Sequence, residues 1–415
     1  MDALAPAAPR LSTYQRWLFF FLGVAGFFEG YDAFALTQIL PSLRAEMSLS
    51  HSDEGLLVGF IGVGSILAYG LVRHADRWGR RRVMTITILG YTFFTLLTGL
   101  ATGVVTFGLA QLLARIFLIA EWSIGMVYAA EEFPAERRGM VIGVLNAVTG
   151  LGAVICAGIA PLLVGSSLGW RGVYFIGAVP LLLMAIARRS LRETRRFSEQ
   201  VAGTGAARRP FTRILEAPYR RPMLQLALIW ALTYACSINA ITFWKEHAVG
   251  ERGISDVEAG MNVSIAAVAA MPLSFAAGKL IDRAGRRAGA LVLYAAMVLG
   301  IVGSYTLAPR PLLVLALVFG VAGVTSVPAV LSAYNAELFP TELRGDGFGW
   351  SNHLFGRFAA VVSPPMVGYA AGYLGWGRVI PLTTALPCVA LVLVLWLLPE
   401  TRGRELEETS VQAAH

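Results

Sequence analysis

The stretch "DRAGRR", Asp282–Arg287, decides the fold because nearly the same six residues, "DRWGRR", occur at Asp76–Arg81, 206 residues earlier. The longer stretch "EEFPAERRG", Glu131–Gly139, returns as "ELFPTELRG", Glu337–Gly345, at the same offset of 206. The tripeptide "LGW" at 168–170 recurs at 374–376 and keeps that offset without a gap. The chain therefore consists of two tandem halves, which predicts two structural units of the same internal order and the same orientation.

The composition indicates that the solvent of this protein is lipid. The chain has 415 residues, of which 56% are hydrophobic and only 14% are charged, whereas a soluble domain carries about 25% charged residues. Apolar runs of about 20 residues, enough to cross a bilayer as a helix, recur along the chain without the alternation typical of barrel strands. They predict an all-α polytopic membrane protein with twelve transmembrane helices, at 16–38, 54–73, 83–102, 105–129, 139–164, 171–189, 223–247, 259–281, 289–308, 311–333, 346–370 and 378–398.

Each half holds six of these spans, so we expect two six-helix bundles related by pseudo-two-fold symmetry about the membrane normal. The predicted organisation is an N-terminal bundle over 1–187, a cytoplasmic linker over 188–222, a C-terminal bundle over 223–400 and a cytoplasmic tail over 401–415. The linker carries ten arginines and a "GTGAA" segment, as a solvated basic loop next to anionic lipid does.

The net charge of +8 follows from topology. If the N-terminus is cytoplasmic, 26 of the 34 Lys and Arg residues fall in cytoplasmic loops, six on the other side and two, Arg115 and Arg357, inside spans. This bias predicts a plasma-membrane protein with both termini in the cytoplasm, and it explains the basic surplus without a nucleic-acid partner. The tetrapeptide "WKEH", at 244–247, lies at the outer mouth, and we interpret it as part of an interfacial belt.

Neither catalysis nor a bound cofactor is indicated. Cys156, Cys236 and Cys388 fall in or beside apolar spans and show no metal-ligand or disulfide spacing. The chain carries no nucleotide-binding loop and no nucleophile elbow. We therefore expect a protein that is not an enzyme and needs neither cofactor nor metal.

Charged residues inside the spans are costly and point to function. At 1.5 Å per residue, Glu29 and Asp32 lie ~20 and ~24 Å along span 1, and Arg115 and Arg357 lie ~15 and ~16 Å along spans 4 and 11. Arginine offers a planar fork to a carboxylate, while buried carboxylates and histidine can titrate. The predicted proton-coupling residues are Asp32, Glu29 and His353, and the predicted substrate-binding residues are Arg115, Arg357, Glu121, Tyr234, Asn239 and Tyr334.

Structural interpretations of the same residues stay open. Arg115 or Arg357 could form an ion pair that only joins two helices. Glu29 could face a neighbouring helix, and Tyr or Asn between helices is as often structural as functional.

The motifs identify a family by resemblance. "GKLIDRAGRR", at 278–287, resembles the loop signature between the second and third helices of each half in the major facilitator superfamily of transporters. The paired E-x-x-P-x-x-x-R-G motifs and "PETR", at 399–402, resemble its sugar-porter and organic-ion branches, and "EGYD", at 29–32, resembles its metabolite–proton and aromatic-acid–proton symporters. The resemblance implies a central cavity lined by spans 1, 4, 7 and 10, with spans 2, 5, 8 and 11 beside them.

The repeated loop motifs also predict a conformational latch at the cytoplasmic ends of the helices. An aspartate that ends a helix can meet an arginine or a helix N-terminus across the bundle, and this contact must break when the transporter reverses. Basic loops that only orient the protein are the alternative. The predicted latch residues are Asp76, Arg77, Gly79, Arg80, Glu131, Arg138, Asp282, Arg283, Gly285, Arg286, Glu337 and Arg344.

These features favour a monomeric, proton-coupled transporter of a small organic anion that works by alternating access in the lipid bilayer. Its partners would be the small-molecule substrate and protons. A proton-driven exporter of drugs or metabolites, a facilitative sugar-type carrier and, more remotely, a transport-inactive sensor or scaffold are the alternatives.

Overall fold

The computed structural model describes residues 11–187, 211–340 and 343–402. Six long helices form the first half: α1 (Thr13–Met47), α2 (His51–Trp78), α3 (Arg80–Gly99), α4 (Val104–Glu132), α5 (Ala135–Val164) and α6 (Arg171–Ala187). The predicted linker lies outside the described residues up to 210, and a 3₁₀ turn at Phe211–Leu215 then leads into the second half.

The second half repeats this order. Its helices are α7 (Arg220–Thr242), α8 (Asp256–Ala284), α9 (Arg286–Thr306), α10 (Arg310–Leu338), α11 (Arg357–Leu374) and α12 (Trp376–Leu397). A short helix (Trp244–Glu246) and a π turn (His247–Glu251) follow α7, and a helical turn (Arg344–Phe348) with a π-helical stretch (Gly349–Gly356) precedes α11. The helix α12 is divided at Thr384 into Trp376–Thr383 and Ala385–Leu397.

The predicted fold class is confirmed. Among the described residues, ten helices are long and apolar enough to cross a membrane, namely α1–α5, α7–α10 and α12. The sixth and eleventh predicted spans correspond to α6, which is described for 17 residues, and to α11, which the π-helical stretch shortens. Large apolar side chains face outward, as in Phe20 (68% exposed), Leu299 (71%) and Trp396 (77%), where they would contact lipid.

Local sequence fixes the helix ends more precisely than hydropathy does. Ser12 and Gln15 form a capping box that starts α1, and Ser48, in the left-handed conformation at φ 53°, ends it. The helix therefore runs past Pro41 to Met47, nine residues beyond the predicted limit at 38. This extension carries Arg44 and Glu46 to the end of the bundle.

Small residues allow the helices to approach closely. A Cβ on Gly30 of α1 would lie 1.9 Å from the carbonyl oxygen of Thr149 in α5, and a Cβ on Gly152 of α5 would lie 1.9 Å from that of Phe27 in α1. The two halves meet along α2 with α11 and along α5 with α8, where Gly55 lies against the Pro364 backbone. Close backbone packing of this kind drives helix association in lipid.

We call the end of the bundle at which α1 begins the latch face, because it holds the α2–α3 and α8–α9 turns, and the other end the opposite face. Gly79 and Gly285 form these two turns with φ of 92° and 100°, a conformation that favours glycine. The repeated sequence thus folds into the same turn in both halves.

Candidate functional site

A cavity of about 330 Å³ lies between the two halves. Residues of α1, α2, α4, α7, α10 and α11 line it; these are the four lining helices that the resemblance implied and two of the four expected beside them. Its wall is mostly apolar. The polar lining residues are Thr37, Ser65, Arg115, Tyr234, Ser237, Thr242 and Arg357. The volume lies at the lower end of the range of small-molecule sites.

Both intramembrane arginines reach this cavity, one from each half. Arg115 on α4 and Arg357 on α11 lie near enough to repel each other electrostatically. Neither forms an ion pair with a carboxylate of the described residues, and the buried Nε of Arg357 makes no hydrogen bond there. Two guanidinium groups thus face one small cavity with donors available to a ligand.

Asp32 lies behind the cavity wall. Its side chain is 5% exposed, it interacts electrostatically with Arg115, and the Tyr91 hydroxyl lies beside it. Its Oδ1 makes no hydrogen bond among the described residues. Glu29, one turn earlier and equally buried, acts on Tyr91 as well. The Asp32 carboxylate therefore lies within electrostatic range of a guanidinium group that lines the cavity.

The remaining predicted substrate ligands divide into one that lines the cavity and three that do not. Tyr234 lines it, stacks on Trp230 at 5.2 Å between ring centroids and accepts a hydrogen bond from Asn352 Nδ2 at 3.0 Å. Asn239 donates to Ser363 Oγ at 2.8 Å and so joins α7 to α11.

Glu121 and Tyr334 lie elsewhere. Glu121 is buried between α3 and α4, where the Thr87 hydroxyl donates to it; six residues after Arg115, it lies on a different side of α4. Tyr334 lies near the latch face, beside Glu337 and Arg286. Neither residue lines the cavity: Glu121 faces a different direction around the α4 axis, and Tyr334 lies closer to the latch face.

His353 lies in the π-helical stretch, next to Arg357. Its ring stacks on Tyr69 of α2 at 6.2 Å and meets Phe348 edge-on at 5.2 Å. It is not among the residues that line the cavity. The structure therefore places His353 between α2 and the π-helical stretch, in contact with two aromatic rings.

The latch motifs form the same ion pair in each half. Arg80 Nη2 lies 3.1 Å from Glu131 Oε1, and Arg286 Nη2 lies 2.7 Å from Glu337 Oε1. Asp282 Oδ1 lies 3.6 Å from Arg286. These pairs tie α3 to α4 and α9 to α10 within each half. The side chains of Asp76, Arg77 and Arg138 lie outside the described residues, Arg283 is exposed, and Arg344 Nε donates to the Phe339 carbonyl at 3.2 Å.

The "PETR" segment supplies a partner that the sequence did not assign. Glu400 accepts hydrogen bonds from the backbone N–H groups of Arg286 and Arg287 at 2.9 and 3.0 Å, and so caps the N-terminus of α9. Burial opposes ionisation of Glu400, but these N–H groups hold its pKa below the ordinary value. Thr401 donates to Glu337 at 2.5 Å. The segment that follows α12 is thereby attached to the Arg286–Glu337 ion pair.

The interpretation of "WKEH" as an interfacial belt is wrong. All four residues, Trp244–His247, are at most 4% exposed. Their charges are buried because ion pairs compensate them: Lys245 meets Asp256, and Glu246 meets Arg44 of the other half. Arg44 and Glu246 are 202 residues apart in the chain, so the sequence near either residue gives no signal of this pair.

Comparison with known proteins agrees with this architecture. The family model described as Major Facilitator Superfamily matches residues 22–356 and 241–415. A probable 4-methylmuconolactone transporter of Cupriavidus pinatubonensis is 26% identical over 93% of this chain and 91% of its own length. The cis,cis-muconate transport protein of Acinetobacter baylyi is 27% identical over 87% and 89%. The crystal structure of a D-xylose-proton symporter superposes with a TM-score of 0.77 at 20% identity, covering 94% of this chain and all of that one, which shows the likeness of the fold.

Proposed function

This chain belongs to the Major Facilitator Superfamily, and on that premise we propose that it couples a proton to the transport of a small organic carboxylate. The family and the relatives make it a multi-pass membrane transporter of small organic solutes. The observation that carries the finer proposal is the pair Arg115 and Arg357, which face one cavity from opposite halves without a carboxylate partner. Muconate, named for one relative, is a dicarboxylate.

The two arginines would close the cavity around an anion. A carboxylate bound by both guanidinium groups links the halves and offsets the repulsion between the two cations. The Tyr234 and Ser237 hydroxyls at the wall would orient the rest of the solute, and the apolar lining would take its hydrocarbon part.

Asp32 would carry the proton. When the cavity is empty, Arg115 stabilises the Asp32 carboxylate; an anion bound to Arg115 weakens that stabilisation and adds repulsion, so proton and anion bind together. By reciprocity, protonation of Asp32 strengthens anion binding at Arg115. This coupling favours the transporter with both substrate and proton bound, or with neither bound, over the states that hold only one of them. Symport requires this preference.

Membrane topology completes the proposal. With the latch face in the cytoplasm, both termini are cytoplasmic and the opposite face looks outward, as the distribution of basic loops favours. We place the protein in the plasma membrane as a monomer, because the cavity is built from the two halves of one chain.

Uptake into proteoliposomes tests the proposal. We expect carboxylates, but not the matched amides, to accumulate when the outside is acidic. Arg115→Ala or Arg357→Ala should reduce uptake at low substrate concentration by about thirtyfold, since a lost hydrogen bond to a charged group costs about 2 kcal/mol. Arg310→Ala, which removes a 57%-exposed cation on the opposite face, is the matched control. Unchanged uptake by both cavity variants would exclude the anion site.

The proton site is tested in the same vesicles. Asp32→Asn should abolish accumulation against a gradient while exchange of internal for external substrate persists. Glu29→Gln compares the second carboxylate of α1. If uptake by the unmodified protein did not depend on the proton gradient, coupling of transport to protons would be excluded.

A further inference from the structure

Charged groups from both halves close the opposite face. Arg44 Nη1 of α1 lies 2.6 Å from Glu246 Oε1, and Glu246 is 2% exposed. Lys245, fully buried, donates from Nζ to the Gln38 carbonyl at 2.7 Å and pairs with Asp256 at 2.9 Å. Burial lowers the pKa of Lys245, and Asp256 opposes that shift. The transport mechanism above uses none of these groups.

Glu54 on α2 adds a second buried carboxylate, within electrostatic range of Glu246. It is 0% exposed, its Oε2 lies 3.2 Å from His51 Nδ1, and it interacts electrostatically with Glu246 across the boundary between the halves. Its Oε1 and the Oε2 of Glu246 are both buried without a hydrogen-bond partner in the part of the chain that the structure describes. Two acids from opposite halves therefore each have one unsatisfied oxygen.

The charges at this site do not balance. Arg44 compensates one carboxylate, and Lys245 is already paired with Asp256. A second buried carboxylate without a cation is costly, and like-charged carboxylates at one site disfavour joint ionisation. A protonated His51 would balance the charge, but it would leave both unsatisfied oxygens without a donor. A proton on one carboxyl group removes the excess charge and converts an unsatisfied oxygen into an O–H donor.

We propose that Glu54 and Glu246 hold one proton between them while the opposite face is closed. This is a second proton site, separate from Asp32, and it is absent from the lining of the substrate cavity. The charged and titratable groups that act on Glu54 are His51 on its own helix, Arg44 of α1 and Glu246; α4 and α11 also pack on α2, and Trp376 of α12 meets the His51 ring at 5.2 Å.

Opening of the opposite face releases this proton. When the halves part, water hydrates both carboxylates, and each returns to an ordinary glutamate that is ionised at neutral pH. The closed state then binds one more proton than the open state. The ratio of closed to open protein should therefore fall as pH rises, by at most about tenfold per pH unit.

Distances across the opposite face measure this ratio. Spin labels at Ser167→Cys and Ala308→Cys, both exposed and one in each half, are placed in a Cys388→Ser background, where the other two cysteines are buried. In lipid nanodiscs, the labelled protein with Glu54 and Glu246 unchanged should show a fraction of long label-to-label distances that increases from pH 5 to pH 8.5. Glu54→Gln, which mimics the protonated acid, should keep the face closed at every pH.

Matched variants make the test specific. Glu46→Gln removes an acid on the same face whose partner Arg171, at 2.8 Å, belongs to the same half, and it should keep the full pH dependence. Asp32→Asn removes the proposed transport proton, and the pH dependence that remains in this variant should disappear when Glu54→Gln is added, which separates this site from the transport proton. A distance distribution that is independent of pH, a pH dependence that survives Glu54→Gln, or a response to Na⁺ at constant pH would overturn the proposal.

Discussion

Arg357 and Arg286 show how the surroundings of one residue type determine its role. Arg286 makes two hydrogen bonds to Glu337, at 3.1 and 2.7 Å, so a carboxylate of the same half compensates its charge. Arg357 lines a cavity with a buried Nε that has no partner in the described chain. An unsatisfied buried donor is costly, and a ligand that satisfies it gains that free energy. We therefore propose Arg357 as the residue whose substitution tests the anion site most directly.

Glu251 is a carboxylate whose role is structural. It accepts hydrogen bonds from the backbone N–H groups of Trp376 and Gly377 at 2.5 and 3.0 Å, and so caps α12. Burial opposes ionisation, but these N–H groups and His247 hold the pKa of Glu251 below its usual value. A depressed pKa means that the ionised form stabilises the fold above about pH 4.3 and that this contribution disappears as pH falls through the folded-state pKa.

We predict that Glu251→Gln lowers the free energy of unfolding by about 2 kcal/mol at pH 7, and that this difference is smaller at about pH 3, because it is lost as pH falls from the unfolded-state pKa through the lower folded-state pKa. Thermal unfolding of the detergent-solubilised protein at both pH values measures it. Glu258→Gln, which loses only the surface pair with Arg310 at 3.0 Å, should change stability by less than about 1 kcal/mol. Equal effects of the two variants at pH 7 would contradict the capping role.

At the scale of elements, α1 contributes both to the cavity wall and to close packing against α5. Ala33 and Thr37 line the cavity, and Asp32 lies behind its wall, near Arg115. Gly30 and Gly26 lie against α5. The helix can place a carboxylate near the cavity because its glycines bring its backbone into contact with α5. The "EGYD" segment thus combines a helix-packing glycine with a titratable group.

We predict that Gly30→Ala forces α1 and α5 apart, because the added Cβ would lie 1.9 Å from the Thr149 carbonyl oxygen. The yield of folded protein and its melting temperature in detergent should both fall. Gly23→Ala on the same helix meets nothing within 4 Å and should be neutral or stabilise by up to about 1 kcal/mol through helix propensity. A Gly30→Ala protein as stable as Gly23→Ala would show that the helices do not need this close approach.

At the scale of the whole molecule, the two ends of the bundle use their charges differently. On the latch face the described ion pairs of the repeated motifs lie within each half. On the opposite face Arg44 and Glu246 join the halves. The Arg44–Glu246 pair thus joins the halves at the opposite face in this structure, and the proposed alternating access would have to break it.

The proposed topology makes a prediction about accessibility. In a Cys388→Ser background, Ser167→Cys on the opposite face should react with a membrane-impermeant maleimide in intact cells. Ala288→Cys, exposed near the α8–α9 turn, should react only after the membrane is permeabilised. The reverse pattern would place both termini outside and would contradict the orientation inferred from the basic loops.

Sequence by itself determined the architecture. The 206-residue repeat, the apolar runs and the distribution of arginines predict two bundles of six helices, since lipid admits only helices or closed barrels and repeats fold alike. It also identified Arg115, Arg357 and Asp32 as costly charges that need a reason.

Only the tertiary structure decided which of these charges meet. Helices that are apolar on all sides give a weak signal for the direction that each side chain faces, so Glu121 and Tyr334 could not be separated from the cavity residues by pattern alone. Glu54, the first residue of a predicted span, has no distinguishing sequence pattern, and "WKEH" resembled an interfacial belt. Their burial follows from partners in the other half, such as Arg44 for Glu246. Electrostatic compensation acts through space, and the order of residues along the chain does not encode it locally.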